Sequence, residues 1–194
     1  IAGALSQYGR KVLIVDFDPQ GAATVALGIN ANQVENTIYT ALFNPSIDVH
    51  EVVVHTRFPN LDIIPANIDL SAAEVQLVTE VGREQVLAST LHRLKDEYDA
   101  IIIDCQPSLG LLTINALTAA DGVIIPVAAE FFALRGVALL MQSIEKVRTR
   151  INPDLQVYGV LVTMYTNTIH SQEVLQRIYE AFDKKVFHSI ISRS

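Results

Sequence analysis

The chain has 194 residues, of which half are hydrophobic, and a formal net charge of −7. This length predicts one domain with an ample core, and no apolar run reaches the roughly 18 residues that a membrane helix needs. The first eight residues lack the basic start of a signal peptide, and the single cysteine, Cys105, excludes an internal disulfide and a paired-cysteine metal or redox site. A cytoplasmic location is the default expectation.

The charge is unevenly distributed along the chain. Residues 1–134 carry 6 basic and 16 acidic residues, a net charge of −10, whereas residues 135–194 carry 8 and 5, a net charge of +3. The acidic total argues against nucleic-acid binding, but the basic C-terminal part could form a local face for it. Solvated helix surface explains the same charges. Lys146, Arg148 and Arg150 near the end of a predicted helix fit the helix dipole as well as they fit DNA.

Apolar periodicity predicts strands that alternate with helices along the whole chain. A first helix covers residues 1–8, and because no capping residue precedes it we expect it to begin upstream. The predicted strands are Val12–Val15, Leu61–Pro65, Ala100–Asp104, Gly122–Pro126, Val157–Thr163 and Lys185–His188. The predicted later helices are 69–78, 83–98, 111–119, 134–151 and 171–182. This alternation predicts an α/β fold with a mainly parallel sheet flanked by helices.

Carboxylates follow two of the predicted strands. Asp16 and Asp18 come at the end of the first strand, and Asp104 ends the third. Ligands of open α/β sheets bind beyond the carboxyl ends of the strands, and several carboxylates there suit Mg²⁺ held with a nucleotide. An Asp before a proline can also simply cap a turn. We favour the site because two strand ends share the pattern.

Four ordered blocks resemble the ParA/MinD superfamily of deviant Walker A ATPases, and within it the ParA/Soj-type partitioning proteins. VLIVDFDPQG (12–21) is similar to the strand after the phosphate-loop helix, and IIIDCQPSLGLLTINAL (101–117) to the Walker B strand with its following loop and helix. EFFALRG (130–136) and GVLVTMY (159–165) resemble two further blocks in the same order. The resemblance runs essentially from residue 1 to residue 194.

The resemblance implies a P-loop NTPase (SIMIBI-type) architecture with residues 1–194 as a single ATPase domain. It places a Gly-rich phosphate-binding loop just upstream of Ile1, since the chain contains no Gly-x-x-x-x-Gly-Lys-Ser/Thr. We therefore expect the domain to be incomplete at its N-terminus. Because the chain ends shortly after a predicted strand, we expect the same at the C-terminus. The chain without the loop is expected to be inactive.

The resemblance also implies a function, cofactors and partners. The function implied is that of an ATPase with ATP and Mg²⁺ as cofactors, which forms a homodimer when ATP is bound. The ATP-bound dimer would bind DNA non-specifically, and a ParB-like partner protein would stimulate hydrolysis. Chromosome or plasmid partitioning would follow, in the cytoplasm and on the nucleoid, without stable membrane association. The resemblance also assigns roles by position. Asp18 matches the residue that positions or activates the attacking water, and Asp104 matches the Walker B carboxylate that supports Mg²⁺. Asp16 would assist at the same metal, directly or through water, and Gly110 lies in the loop that resembles the nucleotide-sensing switch.

Three departures from the family pattern occur. The chain has Gly21-Ala22-Ala23-Thr24 where Gly-Asn-Ala-Thr is usual, and Gln106 where proline is usual. The segment 165–168 lacks the Asp-x-Arg whose arginine is implied in DNA contact, which puts one DNA contact in doubt.

Two other classes of function stay open at this point, a MinD-like membrane-associated division regulator and a non-enzymatic pseudo-ATPase module. The retained Asp16, Asp18 and Asp104 argue against the pseudo-ATPase. The five histidines show no metal spacing, and we expect Cys105 to be a small buried side chain.

Overall fold

A computed structural model describes residues 1–130 and 133–193, which form two compact units, Ile1–Ala119 and Ala120–Ser194. The EFFALRG block therefore falls partly outside the described residues, since Phe131 and Phe132 are not among them. No helix in these described ranges is long and apolar enough to cross a membrane.

The first unit is built on a four-stranded sheet with the order β2-β3-β1-β4. Both pairings of β1 are parallel, and the short edge strand β2 pairs antiparallel with β3. The strands are β1 (Val12–Phe17), β2 (Val54–His55), β3 (Leu61–Ile64) and β4 (Ala100–Cys105). The helices are α1 (Ala2–Gln7), α2 (Ala22–Ala26), α3 (Ile38–Phe43), α4 (Ala73–Gln76), α5 (Val86–Leu91) and α6 (Leu111–Ala119).

Side chains of β1 alternate between two apolar layers. Leu13, Val15 and Phe17 belong to the larger core cluster, which includes buried residues of α3 to α6. Val12 belongs to a second cluster, with Ala2 of α1 and with Leu61. Because both faces of the sheet are covered, the strand is a continuous apolar run rather than an alternating one.

The second unit contains a parallel pair of strands, β5 (Gly122–Ala128) and β6 (Gln156–Thr163), with a register shift between Val123 and Ile124. Helix α7 (Ala133–Arg150) connects them and contacts β5, and α8 (Ile169–Phe182) follows β6. Thr168 caps α8 by accepting a hydrogen bond from the backbone N–H of Ser171.

The mainly parallel α/β architecture confirms the predicted fold class, and five of the six predicted strands are present. The sixth, at 185–188, is wrong, because only Val186 forms a bridge, to Val160, directly after a 3-10 turn. The helix predicted over 83–98 is much shorter, since a turn from Gly82 to Gln85 precedes α5 and a 3-10 turn ends it. The sequence did not predict the two-residue strand β2.

Candidate functional site

The predicted carboxylates lie at one edge of the first unit's sheet. Asp16 and Asp104 are register partners in the parallel pair β1 and β4, so both lie at the carboxyl ends of adjacent strands. Asp18 follows one residue beyond the end of β1. Since β1 ends at Phe17, strand alternation does not extend to Asp18, and its turn sets the direction of its side chain.

Asp16 is fully buried and held by donors from helix α2. Its Oδ2 accepts hydrogen bonds from the backbone N–H of Thr24 at 2.8 Å and from the Thr24 hydroxyl at 2.6 Å. Its Oδ1 accepts a longer bond, 3.4 Å, from the backbone N–H of Asp18. A buried carboxylate is tolerated only with such partners, so this arrangement satisfies Asp16 internally.

Thr24 extends this network to the end of β3. Its Oγ1 accepts a hydrogen bond from the backbone N–H of Ala66 at 3.1 Å, and Thr24 itself is fully buried. Gly21, which precedes α2, has φ +61°, and a Cβ on it would lie 2.8 Å from the Ala66 carbonyl oxygen. Glycine is therefore required there both by conformation and by the close approach of the two backbones.

Asp18 combines a turn with a position at the site. Its Oδ1 accepts a hydrogen bond from the backbone N–H of Gln20 at 2.9 Å, and its carbonyl accepts one from the N–H of Gly21 at 2.9 Å. The structure shows no bond to its Oδ2 within the described ranges. One carboxylate oxygen thus stabilises the turn, while the half-buried side chain keeps a second acceptor.

Asp104 lies at the exposed end of β4. Although the residue as a whole is exposed, desolvation of its carboxyl group raises the pKa of Asp104, and the neighbouring Asp16 and Asp18 carboxylates raise it further. Crowded negative charge of this kind favours binding of a cation.

The carboxylates suit Mg²⁺ that is held mainly by phosphates and water. Within residues 1–130 and 133–193, no group of three or more His, Cys, Asp or Glu side chains could hold a metal ion by itself. Mg²⁺ at nucleotide sites commonly takes only one or two carboxylates together with phosphate oxygens and waters. Asp104 fits that description. Asp16 would have to act through water or through Asp104, because its oxygens already bind Thr24 and Asp18.

Gly110 lies directly before α6 and packs against Glu74 of α4. The Glu74 carboxylate accepts hydrogen bonds from the backbone N–H of Leu111 at 2.9 Å and, at 3.4 Å, of Leu112. The sequence interpretation did not identify Glu74 or Thr24. Thr24 could have been inferred, because a buried Asp16 requires donors and the next helix is the nearest source. Glu74 gives no such signal, since it is 37 positions from Leu111.

Cys105 is exposed, so the expectation that it is buried is wrong. The reason is its position as the last residue of β4, where Asp104 and Cys105 extend past the part of the strand that the flanking layers cover.

Comparisons with known proteins place this chain in a family. The AAA domain family AAA_31 matches residues 1–157. The sporulation initiation inhibitor protein Soj of Bacillus subtilis is 44% identical over 195 residues, which cover 100% of this chain and 77% of Soj. This chain belongs to the AAA_31 family of ParA/Soj-type partitioning ATPases. An uncharacterized protein of Mycobacterium tuberculosis is 51% identical, and the chain spans only 61% of its length.

Solved structures agree with this family. One is the crystal structure of cobyrinic acid a,c-diamide synthase from Mycobacterium smegmatis with bound ADP and magnesium. It has a TM-score of 0.93 and 39% sequence identity to this chain, and the match covers 100% of this chain and 78% of the synthase chain. The structure of a plasmid partition protein from Borrelia burgdorferi has a TM-score of 0.80 and 26% identity, and the match covers 99% of this chain and 81% of the partition protein's chain. One related protein has thus been solved with a bound nucleotide and magnesium. The partitioning relatives favour a partitioning ATPase over the MinD-like and pseudo-ATPase alternatives.

Proposed function

We propose that this chain is the ATPase core of a DNA partitioning switch. ATP holds two copies of the protein together, the dimer binds DNA without sequence preference, and hydrolysis, stimulated by a ParB-like partner, releases it. The observation that carries the proposal is the in-register pair Asp16 and Asp104 with Asp18 just beyond, in a chain 44% identical to Soj. Residues 1–194 act as one ATPase domain in this proposal.

The proposal gives the three carboxylates different tasks. Bound Mg²⁺ supplies positive charge to the phosphates, and Asp104 supports it at the end of β4. Asp18 orients the attacking water and accepts its proton through the carboxylate oxygen that its turn does not use. Asp16 fixes the site indirectly, because its bonds to Thr24 hold the start of α2 against the end of β1.

The proposal requires a phosphate-binding loop N-terminal to Ile1. Backbone N–H groups of such a loop bind the phosphates. The sequence pattern of the loop, Gly-x-x-x-x-Gly-Lys-Ser/Thr, does not occur in the 194 residues. The coding sequence upstream of Ile1 should contain a stretch of the form Lys-Gly-Gly-x-Gly-Lys-Thr. The 194 residues alone should show no saturable binding of millimolar Mg-ATP by calorimetry, and micromolar binding to them would contradict the assignment of the loop.

Asp18 is tested in the complete protein by single-turnover hydrolysis measured beside ATP binding. Asp18→Ala should slow hydrolysis by about 10²–10⁴-fold, the usual contribution of a general base, with little change in ATP affinity. Asp104→Ala should instead weaken the binding of Mg-ATP. Asp18→Asn keeps the turn, because an Asn side chain caps it equally well. Near-normal hydrolysis by Asp18→Asn would show that Asp18 serves its turn alone.

DNA binding tests the partitioning role itself. Retention of the complete protein on non-specific DNA should require ATP and should weaken steeply with added salt, since binding to phosphates releases counterions. The basic balance of residues 135–194 motivates this expectation. Retention that is equal without nucleotide, or insensitive to salt, would overturn it.

A second candidate is favoured by one observation, the TM-score of 0.93 to the structure of a cobyrinic acid a,c-diamide synthase. In that case ATP consumption would depend on cobyrinic acid and an amide-nitrogen donor rather than on DNA and a ParB-like protein. The same hydrolysis assay with each set of additions separates the two candidates.

A further inference from the structure

The loop that joins β4 to α6, residues 106–110, is held at both of its ends by a single side chain. Glu74 accepts a hydrogen bond from the Gln106 amide, Nε2 to Oε1 3.3 Å, at the start of the loop. At its end the same carboxylate accepts the backbone N–H of Leu111 at 2.9 Å. Glu74 is therefore a clamp on the segment that directly follows Asp104.

The position of Glu74 explains the residues at both ends of the loop. The first N–H groups of a helix have no helical partner, and Gly110, which precedes α6, has no side chain with which to cap them. A Cβ on Gly110 would fall within the space that Oε1 of Glu74 occupies, so glycine leaves room for the carboxylate. Gln106 replaces the usual proline of the family and supplies a donor that proline lacks.

The backbone that carries Glu74 is itself fixed. Its neighbours Ala73 and Leu77 are fully buried in the larger core cluster. The chain leading to it from β3 begins at Ala66, which is bonded to Thr24 and so to Asp16. Glu74 thus connects the ends of β1 and β3 with the loop after β4.

We propose that Glu74 is a positioning residue for ATP hydrolysis, which fixes the 106–110 loop and the start of α6 beside Asp104. This role rests on the proposed ATPase function. Glu74 acts through the loop, and the carboxylates at the strand ends act on the nucleotide. An ionised carboxylate at a helix N-terminus is also favoured by the helix dipole.

Two substitutions of Glu74 and one of Gly110 test the role in the complete protein. Glu74→Gln replaces one of the two carboxylate oxygens, Oε1 for Gln106 and Oε2 for Leu111, by an NH₂ donor, so it cannot accept these two bonds on separate oxygens, and Glu74→Ala can accept neither. Gly110→Ala should displace the carboxylate by its added Cβ. Glu80→Gln, the same charge change at an exposed carboxylate on the following turn, is the control. The readouts are hydrogen exchange at the Leu111 amide and steady-state hydrolysis of Mg-ATP.

Loss of this charge-assisted bond should speed exchange at Leu111 by about tenfold or more and lower kcat by about tenfold, with KM for Mg-ATP changed less than about threefold. The three nearest atoms to the Gly110 Cβ position all belong to Glu74. The double variant Glu74→Ala/Gly110→Ala should therefore be hardly slower than Glu74→Ala alone, although Gly110→Ala by itself is impaired. Glu80→Gln should match the parent in both readouts.

Failure of this role is distinguishable from failure of the proposed function. Faster exchange at Leu111 with a kcat within about twofold of the parent would overturn the positioning role while the parent's ATPase activity stands. Additive effects of the two substitutions, or unchanged exchange in Glu74→Gln, would overturn the clamp. A parent protein that hydrolyses no ATP would refute the proposed function, and the positioning role with it. If Glu74→Ala does not fold, Glu74→Gln and Gly110→Ala decide.

Discussion

The hydroxyl group of Thr24 connects the end of β1 with the segment that follows β3, and its removal is a sharp test of the site's internal structure. The hydroxyl donates to Asp16 at 2.6 Å and accepts from the backbone N–H of Ala66 at 3.1 Å, and all of these groups are buried. Thr24→Val replaces the hydroxyl by a methyl group of similar volume. It also keeps the β-branch, so that the intrinsic helix propensity of α2 hardly changes.

The expected cost follows from the two bonds. A hydrogen bond to a charged group contributes about 1.5–3 kcal/mol, and a buried N–H left without a partner costs about 1–3 kcal/mol. Because neighbouring effects are not additive, we expect Thr24→Val to lower the free energy of unfolding by about 3 kcal/mol. Thr24→Ser keeps the hydroxyl and loses one methyl group, which should cost only about 1 kcal/mol.

Urea unfolding of parent, Thr24→Val and Thr24→Ser measures the difference directly, provided that the three denaturant slopes agree. The Ser variant separates the hydroxyl from the packing of the side chain, so the gap between Val and Ser is the informative quantity. A Thr24→Val protein within about 0.5 kcal/mol of the parent, or a Ser variant as damaged as Val, would refute the network.

Two further predictions concern a glycine and a histidine. Gly21→Ala should destabilise the chain by about 1–3 kcal/mol, because φ is +61° and the added Cβ would meet the Ala66 carbonyl oxygen at 2.8 Å. Gly28→Ala, where φ is +82° and the space is open, should cost less and serves as the control. Hydrogen bonds to Glu97 and then to Asp48 raise the pKa of His50. Its stabilising contribution is complete below the ordinary pKa of 6.5 and is lost as the pH rises through the raised value, so His50→Gln should lower the urea midpoint more at pH 5.5 than at pH 9.

Each of these has a clear contrary result. Equal losses in Gly21→Ala and Gly28→Ala would mean that backbone conformation alone matters and that the contact with Ala66 does not. A His50→Gln effect that is the same at both pH values, or larger at pH 9, would exclude a charged His50 that bridges Asp48 and Glu97. Asp48 precedes the 3-10 turn Val49–Val52, and Glu97 follows the 3-10 turn His92–Leu94.

The order and type of the main elements were predictable because burial of both sheet faces makes each central strand a continuous apolar run. The run 12–15 identified β1 although the strand extends to Phe17. The predictions failed for elements that are too short, or too dependent on one turn or bridge, to give a periodic pattern. Strand β2 has two residues, too few for a periodic pattern, and the predicted strand at 185–188 reduces to one bridge at Val186. Helix α5 is short because a turn at Gly82 delays its start and a 3-10 turn from His92 to Leu94 ends it.

The positions of the candidate site's carboxylates were predictable from the sequence, but the hydrogen-bond donors that hold them were not. Asp16, Asp18 and Asp104 stand at strand ends that periodicity locates, so their meeting at one edge follows from the parallel sheet. Which of them faces solvent does not follow, since the burial of Asp16 depends on donors from α2. Glu74 depends on a contact across 37 positions, which no local pattern encodes.

This difference divides the three carboxylates by function. A carboxylate whose oxygens are already bound to backbone and hydroxyl donors gives up those bonds if it binds a metal directly, so Asp16 is better suited to hold α2 in place than to reach a ligand. Asp104 has the opposite character. It is exposed, and its pKa is raised by desolvation and by the charges of Asp16 and Asp18. A bound cation would offset both causes of that raised pKa. Asp18 lies between them, with one oxygen in its turn and one available. The proposed function therefore assigns this edge of the sheet one structural acid, Asp16, and two reactive acids, Asp18 and Asp104, whose positions depend on the buried one.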